Sequence, residues 1–384
     1  MLPKRYRPVN WIDGMKVSKE HFIATNHYLS HTIREVRAVD LTPYSFGLCA
    51  VGSQDDALLA DIQAAPDRGL HVAVGRCRAV TSDGSFIDIN EENALQNDLS
   101  LPQLLSEYRL EGDQKFGIVL SVNLFDMHPV GEPDMEEIPP RHPFVDATYH
   151  ISAVPLTTVQ PKQWTGPHLM IAQCALENGE VRILSDFIPA SSSINSHAGL
   201  REWHHKFGEA MGGMETCSYR IIQKIKNKSQ KNTLSESVQS LAERLVDTIS
   251  RSSLEYRWQL PNDPPIRMLT TVLNIAKAIQ TELECLTSRE KEELLNYLAE
   301  WAEETPGQMQ SNLNALVKMS YVHVDSLPLL RAIESFFELW ATLFNKLSQL
   351  EFIGKRKGQQ VFIVESPVHD PPSPEKPGSR WSPI

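Results

Sequence analysis

Hydrophobic and polar positions follow two different patterns along this chain. Upstream of about residue 190, short apolar runs rich in β-branched and aromatic residues are separated by turn-forming residues, a pattern that predicts strands. These runs span residues 44–51, 70–80, 86–89, 116–125, 148–159, 168–175 and 181–184. Asp83-Gly84 and Asn178-Gly179 lie between such runs and predict two-residue hairpin turns, because glycine readily adopts positive φ.

Downstream of Ser196 the apolar positions recur with the period of an α-helix. Thr233, Thr287 and Thr305 begin capping-box patterns, and Pro306 occupies a first helical position. Another apolar series has the 3–4 spacing of a bundle or coiled-coil seam, which either is the innermost helix or faces another subunit: Leu330, Ile333, Phe337, Trp340, Phe344 and Leu347. We therefore expect an α+β chain with a β-sandwich-like domain over residues 41–190 and a helical bundle over 191–350.

The first 40 residues predict an extended arm followed by an amphipathic helix over residues 19–37. Its apolar stripe comprises Phe22, Leu29, Ile33 and Val36, with His27 and His31 expected to flank the stripe as polar edge residues. Trp11 with an adjacent acidic residue and glycine favours an arm that binds a partner. The alternative is that Trp11 and Met15 fold back onto the chain's own β domain.

Two segments have compositions that disfavour regular structure. Residues 129–143 contain five prolines and an acidic cluster, so they predict a long exposed loop. Residues 351–384 predict at most one edge strand, at 360–365, followed by a disordered proline-rich tail.

Composition narrows the classes of function. The chain has 384 residues, 41% of them hydrophobic, and 37 Lys and Arg against 48 Asp and Glu give a net charge of −11. Such a surface repels phosphate backbones and anionic lipids, so we expect neither nucleic-acid binding nor direct membrane insertion. The five cysteines form no C-x-x-C pair, and no apolar run approaches the roughly 18 residues of a membrane span, both of which favour a cytoplasmic protein.

Motifs for catalysis are weak. The sequence contains no G-x-x-x-x-G-K-[ST], H-E-x-x-H or G-x-S-x-G pattern. His27 and His31 have the spacing of two metal ligands on one helix, but no third ligand is evident. Glu136, Glu137 and the neighbouring Arg141-His142 pair are better explained by solvation or partner contact. We expect no enzyme activity, no cofactor and no metal.

The N-terminal segment resembles a known family. Trp11-Ile-Asp13-Gly14-Met15, then His21-Phe22 and Tyr28, is similar to the opening of the TssK family, the trimeric baseplate component of bacterial type VI secretion systems. Ser82-Asp83-Gly84 matches the position of the family's D-G hairpin, and Phe187-Ile188-Pro189 with Ser196 and Leu200 resembles its shell-to-neck junction. The resemblance covers roughly residues 8–350. The resemblance leads us to expect that the family's C-terminal head is reduced or absent here, as in a divergent member.

This resemblance implies a homotrimeric adaptor, docked at the inner face of the inner membrane through its partners. It would link wedge proteins of the TssF and TssG type to the membrane-anchoring machinery, and a membrane-complex component could be a further partner. The implied wedge-binding residues are Trp11, Asp13, Gly14, Met15, His21 and Phe22, and the implied oligomer interface is the seam from Leu330 to Leu347. Two alternatives stay open: a phage-like baseplate or receptor-binding structural protein, and a soluble metal-dependent enzyme.

Overall fold

The computed structural model describes residues 5–52, 55–65, 68–110, 112–157, 166–228, 230 and 232–354. The described chain has an α+β fold. Its first part contains two α-helices and nine strands within the described ranges: α1 (Lys19–Asp40), β1 (Gly47–Leu48), β2 (Leu58–Ala65), β3 (Gly69–Val80), β4 (Phe86–Ile89), β5 (Leu95–Ser100), α2 (Leu101–Tyr108), β6 (Gln114–Val130), β7 (Phe144–Pro155), β8 (His168–Glu177) and β9 (Glu180–Ile183). The second part is helical: α3 (Ala198–Asn227), α4 (Thr233–Trp258), α5 (Pro265–Cys285), α6 (Ser288–Ala299), α7 (Pro306–Lys318) and α8 (Leu327–Gln349).

Two antiparallel sheets form a sandwich. In the first sheet β3 is central, with β2 and β1 along one edge and β5 and β4 along the other. The second sheet has the order β7-β6-β8-β9. Apolar side chains of both sheets, among them Val72 of β3 and Ile118 of β6, belong to one buried core, so the sandwich is held by apolar burial between its layers.

The predicted strands are largely present, with several corrections. Asn178 and Gly179 form the predicted two-residue turn, both with positive φ. The β3–β4 connection instead spans residues 81–85, closed by Asp83 Oδ1, which accepts from Ser85 N at 3.1 Å. The proline-rich loop begins later than expected, because β6 continues through Pro129 and pairs with β7 to Val130. Strands β2 and β5 and helix α2 were not predicted.

The helical part begins where the caps indicate. Thr287 and Thr305 form complete capping boxes, each hydroxyl accepting from the backbone N–H three residues on. For α4 the cap lies one residue earlier than predicted: Asn232 Oδ1 accepts from Ser235 N at 2.8 Å. An amide side chain satisfies the same unpaired N–H groups as a threonine hydroxyl, so the helix extends back to Thr233.

Helix α8 packs its apolar face into this bundle. Six side chains assigned from sequence to a subunit interface are each at most 4% exposed within the single chain: Leu330, Ile333, Phe337, Trp340, Phe344 and Leu347. They pack in one apolar cluster with α3, α4, α5 and α7. Their own bundle therefore accounts for the burial of these six side chains without a second subunit, and their assignment to an oligomer interface stays a prediction.

The sandwich and the bundle are joined by backbone hydrogen bonds as well as side chains. Leu48 N donates to Ala190 O at 2.8 Å and Ala57 N donates to Ser196 O at 2.9 Å. His323 Nε2 donates to Phe46 O at 2.8 Å, inside a buried pocket. The predicted strand at 360–365 and the tail to residue 384 lie outside the described residues.

Candidate interaction surface on the arm and helix α1

Helix α1 begins with a capping box built by a histidine. His21 Nδ1 accepts from Ser18 N at 3.1 Å, and the Ser18 side chain caps the helix in return. His21 O also accepts from the Thr25 hydroxyl at 2.9 Å. His21 therefore has a local structural role, which the sequence did not indicate because glutamate or glutamine usually occupies this position.

The inner face of α1 contacts β6 of the second sheet and β4 of the first sheet through aromatic and cationic side chains. Tyr6 of the arm stacks on Phe125 of β6 with ring centroids 4.4 Å apart, and His27 meets the same Phe125 ring edge-on at 5.7 Å. The Arg34 guanidinium lies 5.7 Å from the Phe125 centroid. Arg37 lies 4.7 Å from another ring, that of Phe86. These contacts hold one side of α1 while burying none of its residues fully.

The β3–β4 turn fixes the C-terminal half of α1. Gly84 has φ +85°, and a Cβ there would lie 2.4 Å from Arg34 O, so the turn approaches the helix backbone more closely than any other residue would allow. The Asp-Gly sequence thus serves the packing of α1 as well as the hairpin.

The outer face of α1 carries the apolar stripe and is exposed. Phe22 is 59% exposed, and Leu29, Ile33 and Val36 are 50–63% exposed. At about 100° per residue these four side chains point to one side of the helix, opposite His27 and His31. The two histidines were expected at the edge of the stripe. They instead face the sheet, because the Phe125 and Tyr6 rings offer them edge and face contacts.

The arm closes onto the start of the same stripe. A turn at Asp13-Gly14, where Gly14 has φ +79° and Met15 N donates to Ile12 O, brings the chain back toward α1. The Trp11 ring lies 6.0 Å from that of His21 and 6.2 Å from that of Phe22, and Trp11 remains 50% exposed. The structure thus brings together Trp11, His21 and Phe22, so this part of the arm packs on α1, whereas Tyr6 of the arm packs on β6.

The groups considered for chemistry are engaged elsewhere. The Glu137 carboxylate and the Arg141 guanidinium form a two-pronged ion pair at 2.6 and 2.9 Å, which lowers the pKa of the Glu137 carboxyl. Within the described ranges, no three His, Cys, Asp or Glu side chains are grouped to hold a metal ion. Helices in the same ranges include none with the length and apolar character to cross a bilayer.

An exposed apolar stripe of this length is typical of protein–protein contact, because monomeric proteins rarely leave contiguous apolar surface open to water. The arm and α1 therefore form a candidate interaction surface on a β-sandwich that is followed by a helical bundle.

No known family model matches this chain, and no curated protein matches its sequence. Solved structures of type VI secretion components resemble it. A crystal structure of TssK shares 13% identity at a TM-score of 0.47, covering 87% of this chain and 68% of the other. A chain of the TssK-TssF-TssG baseplate subcomplex shares 12% identity at 0.49, covering 87% and 99%. A chain of the type VI baseplate complex shares 12% identity at a TM-score of 0.49, covering 90% of this chain and 100% of the other. At these values the likeness by itself establishes neither family membership nor function.

Proposed function

We propose that this chain is a non-catalytic adaptor of a type VI secretion baseplate, cytoplasmic and docked at the inner face of the inner membrane through partners. It would link wedge proteins of the TssF and TssG type to the membrane-anchoring machinery. The observation that carries the proposal is the exposed aromatic cluster of Trp11, His21 and Phe22, formed by the same residues that resemble the opening of the TssK family.

The arm would provide the wedge contact. Half-exposed aromatic side chains lose their remaining water when a partner covers them, and such residues supply much of the energy of protein interfaces. Asp13, Gly14 and Met15 would act by shaping the turn that returns Trp11 to α1. This division assigns binding to the rings and positioning to the turn.

Co-purification tests the wedge contact. Trp11→Ala should leave the far-UV circular dichroism spectrum unchanged and lower the retention of co-expressed TssF- and TssG-type proteins by at least about tenfold, as expected for a hot-spot residue. Trp258→Ala is a matched control, because Trp258 is also exposed (66%) but lies at the end of α4. Equal retention by the parent and Trp11→Ala would remove the arm from the binding surface.

The homotrimer would be held by the outer face of α1, not by α8. In a threefold assembly of parallel helices each stripe residue meets its own copies, so charges beside the stripe would repel. The exposed residues next to the middle of the stripe are uncharged, namely Asn26 and Thr32. Threefold symmetry would also place the three Trp11 clusters at the same end of the assembly.

Light scattering tests the trimer. Parent protein should have the mass of three chains, and Leu29→Asp with Ile33→Asp should give a folded monomer, because each aspartate would face two copies of itself in a desolvated seam. Glu35→Ala is the control on the same helix, since its carboxylate lies off the stripe, beside Arg34. A monomeric parent would refute the trimer, and a trimeric double variant would refute its location on α1.

A further inference from the structure

The β6–β7 hairpin extends beyond the rest of its sheet. Strand β8 pairs with β6 only as far as Ser121, whereas β7 follows β6 to Val130. Residues 122–130 and 144–149 therefore form a two-stranded ribbon, and residues 131–143 form its apex. Two-stranded ribbons are marginally stable in water without further packing.

The apex exposes apolar side chains that no described part of the chain covers. Ile138 is 98% exposed and Met135 is 77% exposed, and Phe144 at the foot of the apex is 69% exposed. Together with the ribbon geometry, this exposure indicates a surface that is covered in an assembly.

The charge on the apex is strongly negative. Glu132, Asp134, Glu136 and Glu137 against Arg141 give residues 131–143 a net charge of −3. Glu137 is paired with Arg141. Glu132 and Glu136 are exposed and form no ion pair within the described part of the chain.

The arm provides the opposite charge. Residues 5–19 contain Arg5, Arg7, Lys16 and Lys19 against Asp13, a net charge of +3 in a chain whose total is −11. Arg5, Arg7 and Lys16 are exposed, and among the described residues they have no carboxylate partner.

Within the described part of the chain, no ion pair joins the two charged segments. Arg5 and Arg7 flank Tyr6, which stacks on Phe125 near the middle of α1, whereas the apex lies beyond Val130. Of the basic residues of the arm, Lys19 lines the groove at the foot of the apex. A second copy can therefore meet the apex with basic residues that its own chain leaves unpaired.

We propose that the acidic apex of one copy docks on the basic arm of the neighbouring copy, with Ile138 buried in the contact. This rests on the proposed homotrimer. Apex and arm are different surfaces, so the contact is heterologous, and three such contacts close a ring. In this arrangement the wedge contact is left to the Trp11 ring, which carries no charge for the apex to pair with.

Charge reversal and its rescue test the proposal. Glu132→Lys with Glu136→Lys should raise by roughly tenfold the concentration at which half of the chains are assembled, measured by analytical ultracentrifugation at low salt, since each exposed pair contributes modestly. Adding Arg5→Glu and Arg7→Glu should restore that concentration to within about threefold of the parent, because the attraction is rebuilt with the signs exchanged. Ile138→Ser should weaken assembly in a salt-independent way.

The control reverses charge elsewhere. Glu91→Lys with Glu92→Lys makes the same change in net charge on the exposed β4–β5 turn and should leave assembly unchanged. Unaltered assembly of the apex variant, or no recovery in the exchanged variant, overturns this contact while leaving the trimer intact. A parent that is monomeric at every concentration overturns the homotrimer itself.

Discussion

Replacing Trp340 by alanine tests whether α8 is a core helix or a subunit seam. The Trp340 ring is 1% exposed, lies 6.3 Å from the Phe336 ring and borders a cavity of about 260 Å³ between α7 and α8. Trp→Ala substitutions in cores cost about 3–5 kcal/mol, through lost transfer free energy and the void left behind. The existing cavity would be enlarged by the substitution, so we expect the upper half of that range.

Urea unfolding followed by circular dichroism at 222 nm measures this cost, because the helical bundle dominates that signal. With an m value of about 3 kcal/mol/M, a loss of about 4 kcal/mol lowers the midpoint by roughly 1.3 M. Trp258→Ala, at an exposed tryptophan, should change the free energy of unfolding by no more than about 0.5 kcal/mol.

The same variant separates the two roles of α8. A core role predicts a large fall in the urea midpoint, and a seam role predicts a parent-like midpoint with a lower molecular mass by light scattering. A Trp340→Ala midpoint within about 0.3 M of the parent would refute the assignment of this side chain to the bundle core.

Three further substitutions follow from the junction and the caps. Gly47→Ala should lower the free energy of unfolding by on the order of 3 kcal/mol, because φ is +109° and the added Cβ would lie 2.0 Å from a backbone carbonyl oxygen. Thermal melts measure this loss, and Gly307→Ala, with open space around the glycine, is the control. Burial lowers the pKa of His323 below its ordinary 6.5, so the unfolded chain binds the proton more readily than the folded chain. The contribution of His323 to the free energy of unfolding should therefore be complete above about pH 6.5 and should decrease as the pH drops below it. His323→Gln should reduce this pH dependence of the free energy of unfolding, measured by urea titration at several pH values. Asn232→Ala should lower the free energy of unfolding by about 1 kcal/mol through loss of the bond to Ser235 N, whereas Asn232→Ser should retain most of it.

Local sequence patterns predicted where helices lie better than they predicted what packs against each helix. Periodicity placed α1 over residues 19–37, and the structure has Lys19–Asp40. Which side faces the sheet could not be predicted, because the Phe125 and Phe86 rings that meet it come from distant strands. The apolar series in α8 was equally visible, but a repeat does not state whether the same chain or another one covers it.

The unpredicted strands have a physical explanation as well. Strand β2 reads Leu-Leu-Ala-Asp-Ile-Gln-Ala-Ala, without the β-branched alternation typical of a strand, and becomes one by pairing along β3. Strand β5, Leu-Gln-Asn-Asp-Leu-Ser, is more polar than β2, and it pairs with the first half of β3 along the opposite edge. Their conformation depends on a long neighbour more than on their own composition.

The candidate surface was predictable in part. The arm motif indicated Trp11 and Phe22, and the structure places their rings side by side. The basic arm and acidic apex were each visible as charges in the sequence, but only the fold showed that no ion pair joins them among the described residues.

The junction between sandwich and bundle determines how load would pass through this molecule. Backbone hydrogen bonds of Leu48 and Ala57, the buried His323 contact and the ion pair of Arg201 with Asp56 cross it at separate points. Because Gly47 has no side chain, its backbone can lie directly against the backbone at Ala190. A force applied to the arm would therefore be transmitted to the helical bundle, with little bending at the junction between sandwich and bundle.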